Sequence, residues 1–304
     1  MIKNIKINKD YDLRLDKYLK KLFSSLTQSF IEKNIRKKNI LINNLRTKSN
    51  YLVKLNDDLT ILNFHKKLYK NKIIYNKNIK ISEKNLMQFN NAIIFQNNDF
   101  LVINKWAHIA TQGGSKINLS IDHIINNINL NYRLVHRLDK ETSGLLLISK
   151  NLKYAKYFSS LFKQKLIEKF YVALCEGSPK NKNSKVILNI KNKNQEIEKT
   201  ITNYNVLDYK NSITQILYKP ETGKTHQLRI VSKNLGCPII GDNKYNINSS
   251  YKRENLMLHA FALKFSINNK KFHFFSELPD YFLTFLKKNK LKNIKNLEKK
   301  LDSF

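Results

Sequence analysis

An aspartate flanked by two cations is the strongest candidate for a reactive group in the chain. Asp139 lies between Arg137 and Lys140, and neighbouring cations lower the pKa of a carboxylate and favour the anion that a nucleophile needs. Leu134-Val135 is typical of a short strand, and a second apolar run follows from Leu145 to Ile148. Asp139 is therefore predicted to lie on a loop between two core strands, either as a reactive group or as an ordinary Asx-turn residue.

The string around this aspartate favours the reactive group. Residues 136–144 read His-Arg-Leu-Asp-Lys-Glu-Thr-Ser-Gly, and this run resembles the signature of the RluC/RluD family of ribosomal RNA pseudouridine synthases. In that family the aspartate is the catalytic nucleophile, so the resemblance assigns this role to Asp139. The resemblance also implies that Arg137 fills the gap that the target uridine leaves in the stacked RNA bases.

A predicted strand carries the second catalytic candidate. Lys169 to Leu174 has the pattern of a strand, and its residues alone favour a core tyrosine at Tyr171. By resemblance Tyr171 is the active-site tyrosine, whose ring packs on the uracil. An aromatic face contributes about 1–3 kcal/mol per base in single-strand recognition.

Residues 221–230 carry a third motif. They read Glu-Thr-Gly-Lys-Thr-His-Gln-Leu-Arg-Ile, which resembles the family string Gly-Arg-Thr-His-Gln-Leu-Arg. By resemblance Arg229 pairs with Asp139 and Leu228 touches the base. Lys224 replaces an arginine, so it keeps the charge for substrate binding but loses the bidentate fork. Thr225 is predicted to be the N-cap of a helix that Gly236 ends, and the histidines at 136, 226 and 259 are predicted to belong to the framework.

The elements that position these residues form an α+β fold. Residues 1–70 are predicted to be a small S4-like RNA-binding domain, 71–90 a Lys- and Asn-rich linker, and 91–304 a pseudouridine synthase catalytic domain with a mainly antiparallel mixed sheet and flanking helices. Asn104-Lys105 and Gly113-Gly-Ser115 resemble further family segments, with Trp106 where proline is usual. The second of these segments favours the RluC type.

The first domain resembles the S4 domain through a predicted pair of helices, the second with Ser29 at capping-box spacing, and two strand-and-turn elements. In the S4 family the basic helical face contacts structured RNA, and the alternative is a solvated charged face. The residues predicted to contact RNA are Arg14, Lys33, Arg36, Lys37 and Lys38.

The overall charge points towards a polyanion. Lysine and arginine number 56 against 23 aspartate and glutamate, a formal charge of +33, which attracts nucleic acid or an anionic membrane surface. Lysine and asparagine are abundant throughout, and we attribute part of the excess to a gene rich in A and T. Arginine occurs only seven times, so Arg137 and Arg229 are candidates for positions where only the planar fork suffices. All seven glycines lie between Gly113 and Gly241, which predicts that left-handed backbone is concentrated in the second domain.

Several classes of protein are disfavoured. No apolar run has membrane-spanning length, and the first residues lack the apolar core of a signal peptide, so a soluble cytoplasmic protein is expected. Cys175 and Cys237 are too few for a disulfide framework, and no Cys or His pairs have zinc-ligand spacing. Free thiols and no metal are therefore expected.

The implied reaction detaches the uracil of specific uridines in large-subunit (23S) ribosomal RNA, turns it and rejoins it through C5. The reaction oxidises and hydrolyses nothing, so no cofactor is expected. The expected partner is ribosomal RNA. The protein is expected to be a monomer that does not bind a membrane. Attack of Asp139 on the sugar and on the base both fit, and the role of the Tyr171 hydroxyl and the target uridine stay open. One alternative is a hydrolytic glycosylase that uses Asp139 with Glu141 as a carboxylate pair. A second is a non-catalytic RNA chaperone, and a membrane-surface binder ranks last.

Overall fold

Buried hydrophobic side chains divide the chain into two units, residues 1–78 and 79–304, in a computed structural model. The structure describes residues 1–8, 11, 13–70, 81–114, 117–192, 195–292, 297–298 and 301. No helix in this described part of the chain is long and apolar enough to cross a membrane.

The first unit is a small sheet with two helices. Its elements are β1 (Lys3–Lys6), α1 (Leu15–Leu22), α2 (Gln28–Arg36), β2 (Ile40–Ile42), β3 (Leu45–Arg46) and β4 (Asp58–Ile61). The strands lie in the order β1-β4-β2-β3 and all pair antiparallel. The predicted helix pair, the strand Ile40–Ile42 with its turn at Asn43-Asn44, and the strand predicted from Leu59 are confirmed. The prediction for the start of α2 is wrong, because Thr27 rather than Ser29 accepts the capping hydrogen bond from the N–H of Phe30.

The second unit is built on one large sheet. Its elements are α3 (Glu83–Asn91), β5 (Ile93–Gln96), β6 (Phe100–Lys105), α4 (Ile121–Ile128), β7 (Arg133–Leu134), β8 (Ser143–Ser149), α5 (Leu152–Lys163), β9 (Glu168–Glu176), β10 (Asn183–Lys191), β11 (Ile197–Lys210), β12 (Ile213–Pro220), α6 (Gln227–Asn234), β13 (Leu258–Ile267), β14 (Lys270–Phe275) and α7 (Asp280–Lys288). The strand order is β10-β11-β12-β9-β13-β8-β6-β5, with β14 beside β13 and β7 beside β8. The β8–β13 pair is parallel and the other recorded pairs are antiparallel, so the α+β class with a mainly antiparallel mixed sheet is confirmed.

Part of the predicted linker is a helix. Helix α3 covers Glu83–Asn91, and all of it except Asn91 falls in the range 71–90 that composition assigned to a linker. Ser82 caps it by accepting a hydrogen bond from the N–H of Asn85, and Phe89 packs into the core against β6. One cap and one buried aromatic side chain therefore support a helix whose composition is otherwise polar. Residues 71–80 lie outside the described part of the chain, as does Ser115.

Left-handed turns are not confined to the region that contains glycine. In the first unit Lys38, Asn43, Asn44 and Asn56 have φ between 51° and 68°. The prediction that such backbone is concentrated in the second domain is therefore wrong, because asparagine tolerates this conformation better than most residues.

Glycine is needed where strands approach closely. Gly144 has φ of 108°, and a Cβ there would overlap backbone atoms of Ala260. This close approach lets the start of β8 pair in parallel with β13. It fixes the position at which the preceding loop leaves the sheet.

Candidate active site

The loop between β7 and β8 carries Asp139 and is anchored on both sides of it. The Thr111 hydroxyl donates to the carbonyl oxygen of Leu138 at 2.7 Å. It also accepts from the N–H of Leu138 at 3.1 Å. His136 Nε2 accepts a hydrogen bond of 2.9 Å from the N–H of Leu147. These bonds fix the backbone that presents the carboxylate, whose side chain is 20% exposed.

A buried ammonium group supports the same loop. Lys105, at the end of β6, is fully buried and donates to the carbonyl oxygens of Trp106 at 3.0 Å, Ile109 at 3.0 Å and Lys140 at 3.4 Å. Burial lowers its pKa to about 7, against the opposing effect of the carboxylates on the loop. The contact with Lys140 ties the residue after Asp139 to the segment that follows β6.

Sheet register brings the tyrosine to the same place. Lys105 on β6 pairs with Gly144 on β8, Gly144 with Ala260 on β13, and Ala260 with Tyr171 on β9. Tyr171 therefore lies in the same row across the sheet as Gly144, near the start of the strand that follows the Asp139 loop. It is partly buried, and its burial, followed by the Asp139 charge, raises the pKa of the phenol. The hydroxyl is protonated at neutral pH.

The buried arginine of α6 lies between two carboxylates. Arg229 Nη1 is 3.7 Å from Asp139 Oδ2. Its Nε and Nη2 donate to the two carboxylate oxygens of Asp242, both at 2.7 Å. Burial opposes the charge of Arg229, but its bonds to Asp242 and the nearby carboxylate of Asp139 raise its pKa. The guanidinium therefore stays charged, with one edge fixed and one nitrogen free for Asp139.

Asp242 is a further component of the site and lies outside the motifs identified in the sequence. One of its oxygens also accepts from the N–H groups of Lys244 and Tyr245. Burial alone would raise its pKa, but the bonds from Arg229 and these two N–H groups hold it below the ordinary value. The contact joins residues 13 apart in the chain, so no helical or strand periodicity signals it.

His226 also departs from its predicted role. Helix α6 begins at Gln227, and its N-cap is His226, with φ of 54°, rather than Thr225. This left-handed residue lines the cleft, with Nε2 at 3.9 Å from Asp139 Oδ2 and Nδ1 at 3.1 Å from the hydroxyl of Tyr245. Burial lowers its pKa, partly opposed by the Asp139 charge. It is therefore a neutral group beside the carboxylate, not a remote framework residue.

The other two histidines do belong to the framework. His259 Nδ1 lies 2.8 Å from the Ser143 hydroxyl and its Nε2 lies 2.7 Å from that of Ser276. Burial lowers the pKa of His259 and of His136 to about 3 in each case. Both rings are neutral and both bond to β8, which starts at the end of the Asp139 loop.

A cleft of about 540 Å³ brings the predicted site residues together. Arg137 is exposed, Leu228 is buried, and the Lys224 ammonium is 2.9 Å from Glu198. The volume suits a small ligand that is largely enclosed. The predicted residues that line it are Arg137, Asp139, Tyr171, Lys224, Leu228 and Arg229.

The basic residues of the first unit form an exposed surface around the end of α2. Lys33, Arg36, Lys37 and Lys38 are all exposed. Arg14 differs, because its Nε and Nη2 donate to Asp16 at 3.2 and 3.0 Å. That bidentate pair leaves fewer of its N–H groups for a ligand than the sequence predicted. Among the described residues, no group of three or more His, Cys, Asp or Glu side chains could hold a metal ion.

Comparison with known proteins gives this geometry its family. Residues 99–234 match the RNA pseudouridylate synthase family and residues 13–59 match the S4 domain. The chain is 36% identical to ribosomal large subunit pseudouridine synthase C of Rickettsia bellii and 38% identical to that of Rickettsia prowazekii, over 91% of this chain and 98% of each relative. The structure of human RNA pseudouridylate synthase domain containing 4 has the same fold, with a TM-score of 0.62 and 23% identity over 68% of this chain and 96% of that one. The Asp139 loop, the cleft and the relatives agree, and the chain belongs to the RNA pseudouridine synthase family.

Proposed function

We propose that the enzyme isomerises specific uridines of large-subunit ribosomal RNA, with Asp139 as its nucleophile. The observation that carries the proposal is the Asp139 carboxylate, 3.7 Å from the buried, charged Arg229 in a cleft that Tyr171 also lines. Relatives named as ribosomal large subunit pseudouridine synthases support the choice of RNA. A ribosomal substrate also fits a cytoplasmic enzyme.

The cleft supplies contacts for a base pulled out of its stack. The uracil packs against the ring of Tyr171 and the side chain of Leu228, while the exposed Arg137 fills the space that the base leaves in the RNA. Lys224 also lines the cleft, and its ammonium contacts the substrate with the donors that its pair with Glu198 leaves free. Unstacking costs a few kcal/mol, which contacts of this kind offset.

Asp139 opens the reaction by attacking the bound nucleotide, at the sugar or at the base. In either route the bond from C1′ to N1 breaks and a bond from C1′ to C5 forms. The bond between Asp139 and the nucleotide then breaks and frees the carboxylate, by displacement at the sugar or by elimination from the base. The proton of C5 is lost and N1 gains one. Arg229 stabilises negative charge, which passes from the carboxylate to the detached uracil and back. The reaction exchanges no atoms or electrons with a further reactant, so we propose that the enzyme works without a cofactor. We propose that it is a monomer.

The first unit also binds the RNA. Lys33, Arg36, Lys37 and Lys38 present four exposed cations on one surface, and Arg14 contributes the part of its guanidinium that Asp16 leaves free. Phosphate contacts of this type set affinity and register rather than sequence.

The test removes one charge. Asp139→Asn is expected to lower pseudouridine formation by about four decades, as loss of a lone catalytic group does in other enzymes, while RNA affinity stays within a few-fold. Asp280→Asn, an exposed aspartate outside the cleft, is the control. Pseudouridine mapping of ribosomal RNA from cells with and without the gene identifies the target. Wild-type activity in Asp139→Asn would remove the nucleophile role, and release of free uracil would favour the glycosylase.

A further inference from the structure

One side of the cleft carries more positive charge than nearby carboxylates neutralise. Three acidic side chains near it are paired with other lysines: Glu221 with Lys185, Glu198 with Lys224, and Glu168 with Lys219. Of these, Glu221 also interacts with the charge of Lys165. Lys163, Lys165 and Lys169 also line the cleft. No ion pair recorded among the described residues involves these three lysines.

Lys169 is the most constrained of the three. It lies on β9, two residues before Tyr171, and is partly buried. Its ammonium reaches the carbonyl oxygen of Thr222 only at 3.5 Å, a weak bond. Burial, followed by the charge of Lys165, lowers the pKa of Lys169 to about 8.

The ammonium group of Lys169 is therefore repelled by the charge of Lys165, and its weak bond to Thr222 offsets little of that repulsion. An anion between the two ammonium groups would offset the repulsion and raise the pKa of Lys169 towards its ordinary value. Gly223 places no side chain beside this ammonium group, whereas a Cβ there would be in van der Waals contact with the Lys169 nitrogen, at 3.8 Å. Lysine suits phosphate as a compact point charge with freely turning donors.

The RNA backbone supplies an anion beside the substrate uridine. A uridine that enters the cleft stays covalently joined to the phosphates on both of its sides. We propose that Lys169, together with Lys165, binds a phosphodiester next to the flipped uridine. This subsite deepens the proposed function and rests on it.

The first test compares charge variants in steady-state assays on a transcript of large-subunit ribosomal RNA. Lys169→Gln is expected to raise KM about tenfold with kcat reduced less than threefold. The slope of log(kcat/KM) against log[salt] should become shallower by about 0.7–0.9, the value for one lost phosphate contact. Lys169→Arg should restore the slope. Lys210→Gln removes one exposed charge of the same unit outside the cleft and should change neither quantity.

The second test removes the charge from the RNA instead. Binding is measured by fluorescence anisotropy, with full-length enzyme carrying Asp139→Asn and RNA in which single phosphates around the target uridine are replaced by methylphosphonates. One replacement should weaken binding about tenfold when Lys169 is present and less than twofold when it is glutamine. Equal losses in both backgrounds, or an unchanged salt slope in Lys169→Gln, would overturn the subsite. A wild-type enzyme that makes no pseudouridine would instead overturn the proposed function, because the binding experiment does not depend on turnover.

Discussion

Arg229 bonds to a second carboxylate besides the one proposed to react. Asp242 fixes the Nε–Nη2 edge of the guanidinium, and this leaves Nη1 directed at Asp139. A nucleophile held by a fixed cation needs no reorganisation of its surroundings when charge moves. At the scale of single residues, Asp242 is therefore a positioning residue for the proposed reaction, although it lines no part of the cleft.

Asp242→Asn tests this role with almost no change of shape. An amide offers one oxygen where the carboxylate offers two, so the guanidinium loses half of its anchor and kcat is expected to fall by about one to two decades. KM should change less than threefold, because the substituted side chain does not reach the cleft. The thermal transition of the single tryptophan, Trp106, reports on the fold of the same unit. An unchanged kcat in a folded variant would contradict the positioning role.

Sequence reasoning found the residues that carry motifs and missed those that only geometry brings in. Asp139, Tyr171 and Arg229 stand inside long strings that resemble a family, and the structure gathers all three around one cleft. His226 stands in the same string as Arg229 but was assigned to the framework, and Asp242 lies outside these strings. A left-handed cap and a contact across a turn leave no periodic pattern that would show their place at the cleft.

At the scale of elements, the parallel contact between β8 and β13 determines where the Asp139 loop begins. Gly144 makes the contact possible, since a side chain would overlap the backbone of Ala260. Gly144→Ala is therefore expected to abolish the folded second unit or lower its melting temperature by more than 10 °C. Gly236→Ala is the matched control, because its φ is also positive but nothing lies within 4 Å of the added Cβ. That change should cost only about 1 kcal/mol, and equal effects of both on Trp106 fluorescence melts would contradict the argument.

The buried His259 makes the same junction sensitive to acid. It bonds to Ser143 at the start of β8 and to Ser276 after β14, and its pKa is lowered to about 3. The unfolded chain takes up this proton near pH 6.5 and the folded chain does not, so the free energy of unfolding falls as the pH drops from 6.5 towards 3. The loss is up to about 1.4 kcal/mol per pH unit for this group.

His259→Gln should therefore flatten the pH dependence of stability, whatever it does to stability at pH 7. The measurement is urea unfolding followed by Trp106 fluorescence at several pH values between 7 and 5. A slope equal to that of the wild type would show that the imidazole does not stay neutral in the folded unit.

Most elements of the fold were predicted, because apolar spacing and capping residues act locally. No prediction was made for β1, β3, α4 or the strands β10, β11 and β12. Helix α3 was assigned to a linker, and the caps of α2 and α6 were displaced by two and by one residue. These caps and α3 depend on which side chain finds a backbone N–H or a buried neighbour. The strand order across the large sheet follows from contacts between distant segments, and the pattern of any one segment does not contain it.

At the scale of the whole molecule, the charge of +33 is spread over both units. Most of it acts as a general field, which attracts RNA without choosing a site. The surface at the end of α2 is predicted to contribute more than an equal number of charges elsewhere, because its cations are exposed side by side.

A triple variant tests that surface. Replacing Lys33, Arg36 and Lys37 by glutamine should raise KM for ribosomal RNA at least tenfold, leave kcat within about twofold, and reduce the salt slope by about 2. The control replaces three exposed lysines of the second unit, Lys199, Lys210 and Lys271, by glutamine. If both triple variants lose the same affinity, the protein binds through its net charge rather than through this surface.

The left-handed asparagines affect which codons the gene can use at its turns. Codons for asparagine begin with AA and those for glycine with GG, so turns such as Asn43-Asn44 and Asn268-Asn269 let nucleotide composition drift while the backbone keeps its path. Gly144 and Gly241 allow no such exchange, since a methyl group at either would strike main-chain atoms. These two codons are the ones we expect mutation pressure to leave untouched in other AT-rich genomes.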